Sequence, residues 1–251
     1  ANKLKGQIKI SGSKNASLPI LASTLLSNKK VYLSNLPKVK DIETMINLLK
    51  SLGSNIKFKR NKITIDNSNQ KKKFASYNLV KTMRAGILVL GPLLAKFGSA
   101  KVSLPGGCAI GMRPVDMHLD ALEKMGAEIK VESGYITAKA KRLKGTEIIF
   151  PTKTVTGTEN IIMAASLANG ITKIHNSASE PEISDLCIFL NKMGAKIKGY
   201  GTDIIEVEGV ESLNATSHKP LPDRIEAGTF MVAAVITKGD IQINKIVPEH
   251  C

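Results

Sequence analysis

The residues best suited to chemistry stand in a glycine-rich segment, residues 104–114, that carries one thiol and one guanidinium group. Three glycines surround Cys108 and keep the segment free of bulky side chains, which is typical of loops that close over a site. A cysteine reacts as its thiolate, and the positive charge of Arg113 would lower the thiol pKa. We therefore predict that Cys108 acts as an acid or a nucleophile, the alternative being a small residue in an ordinary loop.

Two other segments combine a cation with the expected start of an apolar helix. Lys14 and Asn15 follow Ser11-Gly12-Ser13, and Arg84 opens a second apolar run. The free N–H groups at a helix start bind anions together with an ammonium or guanidinium group. These positions therefore predict anion sites, with a surface salt bridge or a solvated side chain as the alternative at each.

The cysteines and histidines show no pattern of a metal site. Cys187 lies in an apolar helical stretch, so we expect it in the core, and Cys251 ends the chain. Three cysteines without a Cys-x-x-Cys pair predict neither a disulfide framework nor a zinc site, and they fit a reducing compartment. The four histidines are far apart in the sequence: His118, His175, His218 and His250. The sequence therefore implies no metal.

Composition places the chain among ordinary globular proteins of one or two domains. It has 251 residues, of which 43% are hydrophobic and 23% are charged. No apolar run approaches the roughly 18 residues of a membrane span, and the first residues lack the apolar stretch of a secretory signal. We therefore expect a cytoplasmic protein with no membrane partner.

The net charge of +15 raises the question of a nucleic-acid partner. Aromatic residues make up only 4% of the chain, tryptophan is absent, and the one dense basic run, residues 71–73, has no interleaved aromatic residues for base stacking. A lysine-rich solvated surface or an anionic small substrate explains the charge without a nucleic acid. A nucleic-acid binder stays an alternative, and its signature would be binding that weakens steeply with salt.

The sequence repeats itself with a period of about 70 residues. A glycine ends an amphipathic helix and precedes a strand pair three times, at Gly53, Gly126 and Gly194. An acidic residue is expected to begin each of these helices: Asp41, Asp116 and Asp185. An apolar helix and a short strand precede each of them, with strands centred on Val31, Val102 and Ile174, and recur a fourth time at Ile243. The repeat therefore predicts an α/β fold of three sheets packed by six helices.

Four motifs resemble the UDP-N-acetylglucosamine 1-carboxyvinyltransferases, a bacterial family of enolpyruvyl transferases: residues 12–16, 83–85, 105–119 and 222–229. The motifs occur in the family's order and at its separations, from one end of the chain to the other. The resemblance implies an inside-out α/β barrel architecture with two lobes, each built from three of the repeated units. It implies that residues 14–222 form one complete lobe, and that residues 1–13 and 223–251 are an incomplete portion of the second.

The reaction implied by the resemblance transfers an enolpyruvyl group from phosphoenolpyruvate to the 3-hydroxyl of UDP-N-acetylglucosamine and releases phosphate. This reaction is the first committed step of peptidoglycan synthesis. It uses no cofactor, and its partners are these two substrates, with no nucleic acid and no membrane. The sister enolpyruvyl transferase of aromatic amino-acid synthesis is a near alternative, but it lacks the cysteine-bearing loop.

The resemblance also assigns roles to individual residues. Cys108 matches the family's thiol, which donates a proton, forms an adduct with phosphoenolpyruvate and is alkylated by fosfomycin. Lys14 and Asn15 match the residues that hold phosphoenolpyruvate, and Arg84 matches an arginine that contacts substrate. The UDP-sugar site is implied at Arg113, Pro114, Val115, Asp116 and Met117, and its uridine end at Thr152, Lys153, Thr154 and Val155. The sequence departs from many members at residues 156–158, and Asp223 with Arg224 is expected to act at the hinge between lobes.

In a family member with two full lobes, the resemblance places further site residues, an essential aspartate and several arginines, at positions beyond Cys251. We therefore expect that residues 1–251 alone do not turn over, and that the other half is either lost or carried by another polypeptide. Phosphate release at rates normal for the family would contradict this expectation. The alternative is a non-catalytic or decayed fragment that binds a sugar nucleotide.

Overall fold

The computed structural model describes residues 2–59, 62–80, 83–105 and 115–251. Helices in these residues are α1 (Lys14–Ser23), α2 (Lys40–Ser51), α3 (Tyr77–Val80), α4 (Leu90–Phe97), α5 (Asp116–Lys124), α6 (Val155–Ala165), α7 (Pro181–Lys192) and α8 (Arg224–Ile236). Short 3-10 turns cover Thr24–Leu26, Arg84–Val89 and Pro248–His250. Strands are β1 (Lys5–Lys9), β2 (Lys30–Ser34), β3 (Asn55–Lys59), β4 (Lys62–Asp66), β5 (Phe74–Ala75), β6 (Ser99–Ser103), β7 (Glu128–Glu132), β8 (Tyr135–Lys139), β9 (Glu147–Ile149), β10 (Ile171–His175), β11 (Lys196–Lys198), β12 (Ile204–Glu208), β13 (Thr216–His218) and β14 (Asp240–Asn244).

Three units of the predicted kind follow one another along the chain. The strands predicted after the apolar helices are β2, β6 and β10, and the fourth is β14. Each of the first three pairs antiparallel with the second strand of its own hairpin, β4, β8 or β12. Gly53, Gly126 and Gly194 have φ of 104°, 91° and 101°, a left-handed conformation that glycine adopts without strain. The repeat and the mixed α/β fold are therefore confirmed.

Each of these three sheets has a fourth strand that the sequence pattern did not predict. β5 pairs parallel with β6, and β9 pairs parallel with β10. β13 follows the third unit in the chain and pairs parallel with β2 of the first unit, with Thr216 opposite Val31. The first sheet is thus completed by residues 185 positions further along the chain. Strands of two or three residues are too short to show an alternating pattern.

Helices form the inside of the three units and the sheets form the outside. All residues of α1 from Ala16 to Ser23 and of α6 from Gly157 to Ala165 are buried. β2 and β10 alternate between exposed and buried residues, so one face of each sheet contacts solvent. The inside-out arrangement expected from the family resemblance is therefore confirmed. No helix in the described ranges has both the length and the apolar character needed to cross a membrane.

The amphipathic helices begin as predicted in two of the three units. Asp41 lies in the first turn of α2, and Asp116 is the first residue of α5. The prediction is wrong for α7, which begins at Pro181, because the fixed φ of proline suits the first helical position. Asp185 is instead buried inside α7, where its Oδ2 accepts the main-chain N–H of Leu221 at 3.1 Å.

A smaller portion of the structure lies beside the three units. It consists of the parallel pair β1–β14 and helix α8, in which only Ala227 is buried. Two chain segments lead into it side by side: Ser13 donates its N–H to the oxygen of Leu221 at 2.8 Å, and Asp223 donates to Ser11 at 2.9 Å. The two segments that connect the portions are therefore hydrogen-bonded to each other.

Candidate active site

Three central helical segments run in the same direction: α1, the turn 84–89 with α4, and α6. α1 packs against the turn 84–89, and the turn that follows α1 packs against α4. At the C-terminal ends of the segments, a cleft of about 410 Å³ is lined by Leu26, Lys96 and Leu167, one residue from each segment or just beyond it. The other ends, which begin at Lys14, Arg84 and Val155, therefore lie together, and we call this end the N-terminal pole.

The first segment places Lys14 and Asn15 at the N-terminal pole. Ser13 caps α1, since its hydroxyl accepts the N–H of Ala16 at 3.2 Å. The Lys14 ammonium lies 3.1 Å from the Asp41 carboxylate, and both side chains are more than one third exposed. An ion pair as exposed as this one is weak, so Lys14 is available to an anionic ligand. Asn15 is exposed beside it.

Asp223 joins this segment to the smaller portion of the structure. Its Oδ2 accepts the main-chain N–H of Lys14 at 3.3 Å. Its Oδ1 accepts the N–H groups of Ile225 at 2.9 Å and Glu226 at 3.1 Å, and so caps α8. One carboxylate therefore holds the first residues of two helices, α1 and α8, against each other.

Arg84 begins the second segment. It is half-buried and opens the 3-10 turn 84–89, as the sequence predicted for the start of an apolar run. Within the part of the chain that the structure describes, no carboxylate pairs with its guanidinium group. Its charge is therefore not neutralised by a described neighbour at the N-terminal pole.

The start of α5 lies beside the loop that leads into α6. Val115 precedes α5 and is half-buried, and Asp116 is exposed in the first helical position. The Met117 sulfur lies 3.6 Å from the Thr152 hydroxyl. Met117 and Thr152, which the resemblance assigns to different parts of the UDP-sugar site, are therefore in contact.

The residues at the start of α6 differ in their exposure and in their partners. Thr154 is the N-cap, and its hydroxyl accepts the N–H of Gly157 at 3.2 Å. Val155 is exposed in the first helical position. The Lys153 ammonium lies 2.6 Å from the Asp203 carboxylate, and both side chains are at least half exposed. The charge of Lys153 is therefore partly neutralised.

Three predicted site residues lie outside the described ranges: Cys108, Arg113 and Pro114. Val115 and α5 directly follow them in the sequence and lie at the N-terminal pole. The other two cysteines are described: Cys251 is exposed, and Cys187 is fully buried, as predicted for a core residue. Burial raises the pKa of the Cys187 thiol, so it does not form a thiolate readily.

A group of three carboxylates, two of them buried, was not predicted from the sequence. Glu159 in α6 and Glu182 in α7 are each 2% exposed, and Glu180 precedes α7. The Arg224 Nε lies 3.0 and 3.3 Å from the two oxygens of Glu182, and this hydrogen bond raises the arginine pKa. Burial, together with the charges of Glu182 and Glu180, raises the pKa of Glu159 well above its ordinary value. The structure therefore favours the protonated form of Glu159.

Two further buried polar residues near the pole were also missed. His118 in α5 is 3% exposed and Asn160 in α6 is fully buried, with 3.0 Å between the His118 Nδ1 and the Asn160 Nδ2. The sequence offered one signal, because Asn160 is a polar residue inside an apolar helical run.

The N-terminal pole has the electrostatic character of an anion site. Three helical segments direct the positive ends of their dipoles toward it, and the N–H groups of Lys14, Ala16 and Gly157 there already donate to side-chain oxygens. Lys14 and Arg84 add two cations to the same end. Among the described residues, no group of His, Cys, Asp and Glu side chains could hold a metal ion. The arrangement can bind phosphate or carboxylate groups through cations and main-chain donors.

A sequence profile of one enzyme family, EPSP synthase (3-phosphoshikimate 1-carboxyvinyltransferase), matches the chain from residue 1 to residue 251. The chain belongs to the EPSP synthase family. Solved structures agree with this assignment at the level of the fold. The enolpyruvyl transferase NikO from Streptomyces tendae has a TM-score of 0.81 and 19% identity, covering 92% of this chain and 55% of NikO. An EPSP synthase from Acinetobacter baumannii has a TM-score of 0.77 and 20% identity, covering 98% of this chain and 57% of that enzyme.

Curated relatives in the EPSP synthase family are much more similar in sequence. The UDP-N-acetylglucosamine 1-carboxyvinyltransferase of Pelagibacter ubique (strain HTCC1062) is 60% identical over 250 residues, which cover 99% of this chain and 60% of that enzyme. The enzyme of the same name from Hydrogenovibrio crunogenus is 57% identical over 249 residues, which cover 99% of this chain and 60% of that enzyme. The chain therefore spans about 60% of the length of the curated relatives it matches.

Proposed function

We propose that the chain carries part of a UDP-N-acetylglucosamine 1-carboxyvinyltransferase, which transfers the enolpyruvyl group of phosphoenolpyruvate to the 3-hydroxyl of the sugar nucleotide. The observation that carries this proposal is the 60% identity to the P. ubique enzyme of that name, because the alignment covers 99% of the chain and so spans all the predicted site segments. Both substrates are small soluble anions, and the proposal includes a cytoplasmic location and a role in peptidoglycan synthesis.

Lys14 and Asn15 are the proposed phosphoenolpyruvate ligands. The phosphate and carboxylate of this substrate are anionic, and Lys14 stands in the first position of α1, where the positive end of the helix dipole favours an anion. Its partner Asp41 is 3.1 Å away and solvent-exposed, so a bound phosphate can compete for the ammonium group. Asn15 supplies an exposed amide beside it.

The UDP-sugar is proposed to lie along the second and third segments of the N-terminal pole. Arg84 supplies a guanidinium group that no carboxylate of the described residues neutralises, and its planar shape suits bidentate contact with a phosphate. The start of α6, residues 152–155, supplies main-chain donors, and residues 113–117 complete the site around the contact between Met117 and Thr152. The sugar nucleotide carries a diphosphate, so the positive character of the N-terminal pole supports the proposal.

The proposed reaction adds and then eliminates. Cys108 donates a proton to C3 of phosphoenolpyruvate while the sugar 3-oxygen attacks C2 and loses its own proton. The C–O bond to phosphate then breaks, a proton leaves C3, and the double bond forms again. Cationic groups at the N-terminal pole stabilise the negative charge that develops on the departing phosphate.

The proposal includes a division of the chain into one complete lobe, residues 14–222, and part of a second, residues 1–13 and 223–251. The strand pairing of β13 with β2 supports the first part, because it completes the first sheet from within residues 14–222. The exposure of Val235 and Ile236 on α8, 77% and 75%, supports the second, because apolar helix faces normally pack against further structure. Lack of turnover by residues 1–251 alone stays a prediction.

The experiment that tests the proposal is intact-mass analysis of the chain after incubation with fosfomycin, with and without UDP-N-acetylglucosamine. We expect one adduct, at Cys108, that forms faster in the presence of the sugar nucleotide and is absent in a Cys108→Ala variant. No adduct while the thiols remain titratable would contradict the proposal.

A binding measurement separates the two substrate classes of the family. We expect calorimetric titration to detect UDP-N-acetylglucosamine and not 3-phosphoshikimate.

A pair of lysine variants tests the role of Lys14. Lys29 lines the cleft at the opposite, C-terminal ends of the central helices, so Lys29→Gln is a matched control for Lys14→Gln. Only Lys14→Gln should weaken phosphoenolpyruvate binding, and equal effects of the two variants would refute the role of Lys14.

A further inference from the structure

The Asn160 amide is fully buried in α6 and connects two other helical segments. Its Oδ1 accepts the main-chain N–H of Gly91 at 2.8 Å, and its Nδ2 donates to the main-chain oxygen of Ile87 at 3.2 Å. The same Nδ2 lies 3.0 Å from Nδ1 of His118 in α5. All the polar atoms of this amide are therefore used.

These contacts determine the protonation state of His118. The Gly91 N–H requires an oxygen opposite it, so the Asn160 Nδ2 faces Ile87 and His118 as a donor. The His118 Nδ1 must then accept and carry no proton. The ring proton is on Nε2, which lies 3.3 Å from the Thr156 hydroxyl and donates to it. Burial lowers the pKa of His118 to about 4, which agrees with a neutral ring.

The two side chains join the segments that supply the UDP-sugar site. Ile87 and Gly91 belong to the helical segment that begins at Arg84. His118 directly follows Met117, and Thr156 directly follows Val155. The residues that Asn160 and His118 contact are therefore at most two helical turns from a proposed ligand residue. His118 and Asn160 are themselves buried and do not face a ligand.

Close packing of the backbones accompanies these hydrogen bonds. A Cβ placed on Gly91 would lie 2.6 Å from the main-chain oxygen of Asn160 and closer still to its Oδ1. Only glycine permits this approach of α4 to α6. The Asn160 amide thus occupies a position that the backbones of two helices define.

We propose that Asn160 and the neutral ring of His118 are positioning residues, which set the Arg84 segment, the start of α5 and the start of α6 at the spacing that the UDP-sugar requires. The identity of the ligand rests on the proposed function, and the joining of the three segments does not. Misplacement of binding groups by about 1 Å can reduce activity about a hundredfold, so a network of this kind has a measurable effect at a distance.

The test compares two fully buried asparagines. Asn67 donates its Nδ2 to the Thr24 oxygen at 2.7 Å, beyond the C-terminal end of α1, so Asn67→Ala is the control for Asn160→Ala. We expect both variants to lower the thermal unfolding midpoint. By calorimetry below both midpoints, Asn160→Ala should weaken UDP-N-acetylglucosamine binding about tenfold or more, and Asn67→Ala should change it less than about twofold.

The conservative variant of His118 distinguishes positioning from packing. In His118→Asn the amide oxygen can accept the bond from Asn160, whereas in His118→Phe no acceptor is present. We expect His118→Phe to weaken binding of the sugar nucleotide and His118→Asn to recover most of it. Equal loss in both variants would overturn the inference.

Hydrogen exchange in the ligand-free chain gives an independent readout. Asn160→Ala should speed exchange together in residues 84–91, 115–119 and 152–158, and Asn67→Ala should leave all three ranges unchanged. Faster exchange in only one range would overturn the inference. If the unaltered chain binds no UDP-N-acetylglucosamine, the proposed function fails, and the exchange data alone decide whether Asn160 joins the three segments.

Discussion

Replacement of Glu159 by glutamine tests whether this buried carboxyl group is protonated in the folded protein. The side chain is 2% exposed, and the nearby carboxylates of Glu182 and Glu180 oppose its ionisation in addition to burial. Glutamine is a neutral side chain of the same shape, so Glu159→Gln imitates the protonated form. We expect the variant to fold and to become increasingly more stable than the unaltered chain as the pH rises.

The magnitude follows from proton linkage. In the unfolded chain Glu159 loses its proton near its ordinary pKa of 4.5, whereas the folded chain keeps it to a higher pH. Folding then takes up a proton, and the free energy of unfolding falls by up to about 1.4 kcal/mol per pH unit between the two pKa values. This contribution is fully present below pH 4.5 and is lost as the pH rises through the folded pKa.

The assay is urea denaturation of both proteins at several pH values from 4.5 to 8. At the lowest pH the two proteins should have nearly the same free energy of unfolding. As the pH rises, the free energy of unfolding of Glu159→Gln should increasingly exceed that of the unaltered chain. Glu123 is exposed on α5, so Glu123→Gln is the matched control and should show little pH-dependent difference. A constant difference for Glu159→Gln, or one that falls with pH, would refute the assignment of a protonated Glu159.

Three other predictions concern different parts of the fold. Gly91→Ala should lower the free energy of unfolding by about 3 kcal/mol, because the new methyl group would overlap Asn160. Its control is Gly228→Ala on α8, where the new methyl group meets no atom within 4 Å and should leave stability unchanged or raise it by up to about 1 kcal/mol. Denaturant titration measures both changes. The Cys187 thiol should react with a disulfide reagent only after unfolding, since it is fully buried and its pKa is raised, and labelling of native Cys187 at the rate of Cys251 would contradict this. Burial lowers the pKa of Lys96 to about 8, so the unaltered chain should gain stability relative to Lys96→Met between pH 8 and 10.5, by at most about 1 kcal/mol per pH unit for this partly exposed group; equal curves would refute it.

Sequence periodicity was sufficient to find the repeated units but not the way in which they close. The glycines at positions 53, 126 and 194 and the alternating hairpins carry strong local signals, and all of them lie where they were predicted. β5, β9 and β13 have two or three residues each, and their pairing depends on distant parts of the chain. A local pattern contains no information on such long-range parallel pairs.

The start of α7 shows a competition between two local signals. Acidic residues favour the first turn, which predicts a helix start at Asp185, but Pro181 is the stronger signal and begins the helix earlier. Asp185 then lies inside the protein, with its Oδ1 2.9 Å from Nε2 of His218. That contact links residues 33 positions apart, which no local rule can predict.

Prediction of the candidate site was limited in the same way. Helix starts and cations marked Lys14 and Arg84 as candidates, and the family resemblance marked Val155, but only the packing of the central helices brings them to one end. His118 gave no signal, because α5 carries several other polar residues, and Asn160 gave a weak one as a polar residue in an apolar helical run. Their importance comes from partners on other helices, and those partners are known only from the fold.

The pairing of β13 with β2 has a consequence for biosynthesis. Val31 leaves the ribosome long before its partner Thr216 does, and at roughly 5–20 residues per second the delay is about 10 to 40 seconds. During this interval the first sheet has an open edge and its helices lack part of their cover. Nascent chains should therefore expose a binding surface for chaperones until the third unit has been translated, and the order of synthesis, rather than local stability, sets when the first unit is finished.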